Sequence, residues 1–331
     1  MHVTRARSLR LAAAFGALLV GAPLAAQNGG DGAPTSELEW RVEWLRAAGS
    51  LPVGDAVVPA RELTLEAYER RGFLPLWTDP GAIDELLEAI ASVHEEGLDP
   101  EHYHLSALAA SGSAWSTAGL ARRDLLATDA FVRLSHDLRF GKAAAQGPAS
   151  GPEADWAFGG LDRLARLEAV ARSGRVREAL AELRPRHFVY EGLTAALAQL
   201  RRIESAGGWA PIPAGPALAR DSAGVRVLLL RQRLRITGDL IDESAPTSPR
   251  FDPELEEAVR AFQHRHGLNE DGVVGNATLA GLNVPVARRI EQVRVNLERA
   301  RWVAHELPDS FVAVNVAGAR VSKATESPCS R

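Results

Sequence analysis

A mainly α-helical protein is predicted, closing on a short C-terminal β-strand, and three observations predict it. Apolar residues recur at helical spacing over most of the chain. Clusters of Gly and Pro cut that periodicity into segments of helix length. Strand alternation surfaces only late, over residues 311–316. The composition is that of an ordinary globular protein, with 46% hydrophobic and 24% charged residues among 331. The length suggests two or three domains, and the composition excludes disorder as a whole-chain description. Lys and Arg number 38 against 42 Asp and Glu, a net charge of -4, which removes any global case for nucleic-acid binding. The single cysteine, Cys329, excludes a disulfide framework and a multi-cysteine metal site.

Residues 1–26 read as a secretory signal peptide: Arg5, Arg7 and Arg10, then an uncharged run from Leu11 to Ala22, then Ala25 and Ala26. The run is short for a bilayer span, and no cysteine follows it to take a lipid. Loss of the segment removes three arginines and no acid, leaving an exported chain that is more acidic. Residues 27–36 are a Gly-rich linker.

Residues 37–205 form the helical domain. Ile83, Leu86, Leu87 and Ile90 make one stripe, and Ala127, Phe131, Leu134 and Leu138 a second. Val176, Leu180 and Leu183 make a third, closed by Pro185. Residues 206–217, with three prolines between Pro211 and Pro216, are a stiff linker. A compact three-helix unit spans 218–283. Its first helix carries Val225, Leu228, Leu229 and Gln232 behind a Ser222 cap. Its second opens at Asp252-Pro253-Glu254, where Asp caps, Pro suits the first position and the acid faces the helix dipole. Leu255, Val259 and Phe262 give its apolar stripe, and Gly267 ends it. Asp271-Gly272 is a turn, Gly275 supplies further backbone freedom, and Asn276 caps a third helix carrying Leu279 and Leu282. A linking helix occupies 284–308.

The three-helix unit resembles the peptidoglycan-binding-domain repeat. The resemblance rests on Val225, Leu228, Arg231, Gln232 and Leu234, then Phe251-Asp252, Ala258-Val259, Phe262-Gln263 and Gly267-Leu268, then residues 271–275 and Thr278-Leu279. Upstream, residues 72–77, Glu96-Gly97-Leu98-Asp99-Pro100, Tyr103, residues 128–131 and 136–142, Pro185, His187, Tyr190 and Leu193 resemble the helical scaffold domain of large murein L,D-transpeptidases. Arg289-Ile290, Asn296-Leu297-Glu298-Arg299 and Arg301-Trp302 resemble the helix leading into the catalytic domain of that family, and 311–316 its first strand. The motifs keep the family order from about residue 37 to 321.

The resemblance implies transfer of peptidoglycan stem peptides through a cysteine acyl-enzyme. That chemistry needs a β-rich domain with a histidine and a Ser-His-Gly-Cys-type motif. The chain departs from the pattern at Ser322, and residues 309–331 read as a truncated start of the domain: an unpaired strand and a polar, poorly ordered tail. Cys329 sits in Ser327-Pro328-Cys329-Ser330-Arg331 with no histidine nearby in sequence, so no catalytic residue is assigned and enzymatic activity stays open.

Other clusters read as structural. Asp99, Glu101, His102 and His104 sit where capping and packing account for them better than zinc. His264 and His266 are two apart on a helix and diverge, which weakens a zinc-amidase reading. Glu95-Glu96 and Glu256-Glu257 are adjacent pairs that suit solvated helix faces rather than facing glycosidase carboxylates. The Arg231-to-Arg235 run and Arg288-Arg289 read as solvated faces too.

The expectation is an exported or periplasmic peptidoglycan-binding protein of the cell envelope. It needs no metal or other cofactor, and it has neither a nucleic-acid partner nor a stable membrane anchor after signal cleavage. Other cell-wall enzymes are candidate partners. The ligand-binding residues expected in the unit are Arg260, Gln263, Asp271 and Asn276, polar groups on the second helix and the turn behind it. A non-enzymatic wall-binding module that docks other enzymes and a peptidoglycan hydrolase remain as alternatives.

Overall fold

The computed structural model describes residues 34–111, 116–142, 163–241, 248–315 and 320–325. The signal-peptide segment and Cys329 lie outside these residues. The described chain is mainly α, as expected, and within it no helix is long and apolar enough to cross a membrane.

The chain enters through α1 (Pro34–Ala48) and a hairpin, β1 (Ser50–Val53) with β2 (Ala56–Pro59), paired antiparallel with Leu51 opposite Val58. Its Gly54 lies at φ +62° in the turn, where a Cβ would be strained. Helices α2 (Glu62–Arg70), α3 (Pro80–Ser92) and α4 (Leu105–Ala110) follow, then the long α5 (Thr117–Phe140). The start of α3 is local chemistry. Asp79 accepts the Gly81 N–H at 2.9 Å, Pro80 holds the first position, and Ile83, Leu86 and Ile90 turn inward. Helices α6 (Arg163–Ser173) and α7 (Val176–Ala181) close a core in which Phe131, Leu134 and Leu138 of α5 are fully buried. Helix α5 touches α1, α2, α3, α4, α7 and β2, so the domain is wrapped around it.

Helix α8 (Phe188–Ser205) runs beside α12 (Val286–Val303), and Tyr190, Leu197, Ile290, Leu297 and Ala300 form a separate apolar seam between them. Between these two helices in sequence lies the three-helix unit: α9 (Val225–Ile236), α10 (Pro253–Arg265) and α11 (Asn276–Leu282). Its core joins Val227, Leu230, Leu234, Phe251, Leu255, Val259, Phe262 and Leu282. Ile212, from the Pro-rich segment ahead of the unit, is buried in the same core, and Asn283 grips its backbone twice, at 2.9 Å each way.

Several local readings need correction. The buried stripe of α9 is Val227, Leu230 and Leu234, whereas Val225 is 71% exposed. Gly224, at φ +120°, is the residue before the helix, and the Ser222 hydroxyl instead accepts the Ala219 N–H at 3.0 Å. Gly275 precedes α11 at an ordinary φ of -81°, with Asn276 as the first helical residue rather than the cap. Arg231 and Arg233 are buried, not solvated, and so is Glu96. The C-terminal strand is not single: β3 (Ser310–Asn315) pairs antiparallel with β4 (Arg320–Thr325), Ser310 opposite Thr325 and Asn315 opposite Arg320. Pairing satisfies one backbone edge of β3, which polarity alone in Ser322-Lys323-Ala324-Thr325 did not announce.

Candidate functional site

The expected site residues gather around the turn between α10 and α11. Gly267, at φ +66°, lets the chain leave α10, and Gly272, at φ +74°, reverses it. A Cβ on Gly272 would come within 2.8 Å of the Glu256 side chain and 3.1 Å of Arg260. The turn therefore lies flat against the outer face of α10.

Gln263 is the node beneath that turn. It is 1% exposed. Its amide nitrogen reaches Asp271 Oδ1 at 2.8 Å, the Val273 carbonyl at 3.0 Å and the Thr278 hydroxyl at 3.1 Å. Its carbonyl accepts the Gly272 N–H at 2.9 Å. The side chain is occupied by the protein itself and sets the shape of the loop.

Asp271 lies on the exposed side of the same turn. Its carboxylate accepts the Val273 N–H at 2.9 Å, then Gln263 and the Asn269 amide, and these bonds hold its pKa below the usual carboxylate value. Arg260 donates to Glu256 at 2.9 Å and to the Glu270 carbonyl, and the Glu256 bond raises its pKa. Arg220 meets the same Glu256 at 2.8 Å. Asn276 is exposed at the start of α11. Arg260 and Asp271 thus lie on the outer side of this turn, Asn276 is exposed at the start of α11 after it, and Gln263 supports the turn from inside.

The scaffold portion holds a second polar concentration. His104, at φ +61°, points Nε2 at Asp129 Oδ2, 2.8 Å away, and Arg61 Nε meets Oδ1 at 2.9 Å. Arg133 approaches at 3.6 Å. Burial by itself pushes the Asp129 carboxyl up, but His104, Arg133 and Arg61 outweigh it and the net shift is downward. His102 turns the other way, exposed beside Lys142. The two histidines therefore do not converge. His264 meets Glu270 at 2.9 Å while His266 rests on the Phe262 ring, so that pair also diverges. Glu96 is buried under Arg184, 3.0 Å away, and the Tyr190 hydroxyl.

Sequence reasoning passed over a third set: Trp209, Arg233, Arg265 and Arg289, brought together where the three-helix unit meets α8 and α12. A signal was present in part, since Trp209 stands alone among breakers and each arginine lies in the first or last turn of a helix.

Comparison with protein families assigns both folded parts. Residues 62–197 match the scaffold domain, and residues 223–282 match the peptidoglycan binding domain. The pair is consistent with an L,D-transpeptidase-like architecture, and the second domain supports peptidoglycan as a partner. No curated protein matched the chain.

Proposed function

We propose that this is an exported peptidoglycan-binding protein of the murein L,D-transpeptidase type, in which residues 218–283 take hold of the cell wall and residues 37–205 carry them. The observation behind the reading is the peptidoglycan-binding-domain match over a unit whose turn after α10 presents Asp271 to solvent, with Arg260 on α10 and Asn276 on α11 to either side of it in sequence. Glycan hydroxyls, amides and stem-peptide carboxylates are recognised by a few placed donors and acceptors of this kind. Gln263 belongs to the same site as its support, holding the turn from below. The reading assigns binding, not acyl transfer, to these residues.

The test is sedimentation with purified peptidoglycan. The chain lacking residues 1–26 is expected in the pellet. The double variant Arg260→Ala/Asn276→Ala, folded by circular dichroism, is expected to bind more weakly. Wild-type protein left in the supernatant at every pH and salt concentration would refute the reading.

A further inference from the structure

A cavity of about 260 Å³ opens between the three-helix unit and the α8–α12 pair. That is below the ~300–1,000 Å³ of pockets that engulf a drug-sized ligand, so it suits one end of a chain rather than a disaccharide unit. Four cationic or potentially cationic groups line it, each from a different place: Arg233 on α9, Arg265 at the end of α10, His266 just after it, and Arg289 on α12. Helix α8 adds neutral lining only, including Gln199.

Among the described residues the charge does not balance. Asp239 is the carboxylate behind the groove, and Arg265 takes it in a forked contact at 2.6 and 3.2 Å. Arg233 donates to the Leu282 carbonyl at 3.0 Å and the Thr237 hydroxyl at 3.1 Å, and its guanidinium lies 3.6 Å from the centre of the Trp209 ring. Arg289 donates to the Gly281 carbonyl at 2.9 Å and to Gln292 at 3.1 Å. Two guanidiniums are thus held by neutral acceptors beside a third that uses the acid. Like charges that are buried, as Arg233 is, or partly buried repel one another more strongly than charges in water. Burial, and then Arg289 and Arg265, lower Arg233 to about 10 against the opposing pull of Asp239. Burial, Arg289 and Arg265 hold His266 near 4, so its ring is neutral at physiological pH.

We propose that this groove is an anion subsite that takes a free carboxylate of a peptidoglycan stem peptide, with Arg233 and Arg289 as its principal donors. Guanidinium groups with neutral partners retain N–H groups suited to a carboxylate fork. Gln199 and Gln292 also line the groove, and Gln292 Oε1 accepts from Arg289 at 3.1 Å. The subsite rests on the wall-binding reading for the identity of its ligand, but its anion chemistry stands on the groove alone. It lies at a junction of two domains, so an occupied groove would also tie the wall ligand to the α8–α12 pair.

N-acetyl-D-alanine and its carboxamide serve as probes on the whole chain lacking residues 1–26, followed by calorimetry and by the His266 ring signals in NMR. The acid is expected to bind at least tenfold more tightly than the amide and to move the His266 midpoint upward from about 4. Gln292→Glu places an acid in the groove without deleting a guanidinium, and should weaken the acid probe at least tenfold with the fold intact. Arg289→Gln should do the same by removing a donor. Equal binding of acid and amide, or undiminished binding by Gln292→Glu, overturns the subsite. Tighter binding of inorganic phosphate than of the acid overturns the carboxylate assignment. Sedimentation with peptidoglycan separates the two readings. Pelleting without probe binding refutes the groove alone, and probe binding without pelleting refutes the wall as its source of ligand.

Discussion

Replacing Gln263 with Met tests whether this residue supports the turn from inside. Met keeps the length and the apolar stem but removes every hydrogen bond of the amide. The Gly272 N–H, buried and donating to the Gln263 carbonyl at 2.9 Å, loses its acceptor, at about 1–3 kcal/mol. The bond to the ionised Asp271 carboxylate at 2.8 Å contributes about 1.5–3 kcal/mol, and those to Val273 and Thr278 share the remaining N–H. A loss of about 3 kcal/mol is expected, a large part of the ~5–15 kcal/mol that stabilises a typical protein. It should be local to the loop and α10. Hydrogen exchange on the whole chain reads it directly: the Gly272 amide should exchange about a hundredfold faster, since each 1.4 kcal/mol is roughly tenfold. The Asp271 pKa should move up toward the usual carboxylate value as one of its donors disappears. Gly272 exchange within about twofold of wild type would refute the structural role, because a ~3 kcal/mol loss cannot leave that amide protected.

Two further predictions concern the scaffold. Asp129→Asn removes a fully buried carboxylate from His104, Arg61 and Arg133 and should cost about 3–5 kcal/mol at pH 7. Because the Asp129 pKa is lowered in the folded chain, the stability it adds is present above the ordinary carboxylate pKa and fades as pH falls through the folded value. The gap in melting temperature between wild type and variant should therefore narrow below about pH 4, and a gap that widens in acid would contradict the sign. Gly141→Ala introduces a Cβ at φ +80°, 2.6 Å from Glu298 Oε1 and 2.9 Å from Trp302 Nε1. It should destabilise by about 1–3 kcal/mol, with loosened α12 amides in hydrogen exchange, whereas unchanged α12 protection would show that the contact yields freely.

What was legible in the sequence was local. Asp252-Pro253 announces its helix because capping needs only neighbours in the chain, and that cap is made as read, with Asp252 accepting the Leu255 N–H at 2.9 Å. The phase of α9 was not legible. Leu228, Leu229 and Leu230 in succession fit more than one face, and the deciding residues, Arg231 and Arg233, are arginines that composition places in water. They are buried because Asp252 and the Arg250 carbonyl receive one, while Trp209 and the Leu282 carbonyl receive the other, all far away in sequence. Gln263 was half legible. It lies four residues after Val259, on the buried stripe, and that spacing competes with its polarity. The hairpin at Ser50–Pro59 left only Gly54-Asp55 between two short apolar runs. Among the candidate groups, the groove arginines were the least visible, because Arg233, Arg265 and Arg289 meet only once the three-helix unit has docked on α12.

That docking mounts the unit on α12 through direct contacts. Helix α12 is fastened at both ends. Toward its C-terminal half, Arg301 donates to the Glu96 carbonyl at 2.6 Å and Arg294 to the Gly97 carbonyl at 3.0 Å, so two guanidiniums grip the turn that follows α3. Gly97 sits at φ +75°, and a Cβ there would meet Arg294 and Leu297 at 3.3 Å, which keeps the turn close against α12. The Glu96 carboxylate is held in turn by Arg184 and by Tyr190 of α8. At the other end of α12, Arg289 holds the Gly281 carbonyl at 2.9 Å and the Trp209 indole donates to the Val284 carbonyl at 3.1 Å. Hydrogen bonds to charged groups are worth about 1.5–3 kcal/mol each, and here they act in parallel across a seam that also buries Leu297 and Ala300. A unit mounted in this way transmits its orientation. A ligand held at residues 260–276 would set the direction in which α12 leaves toward β3, whereas a flexible tether would fix only a distance.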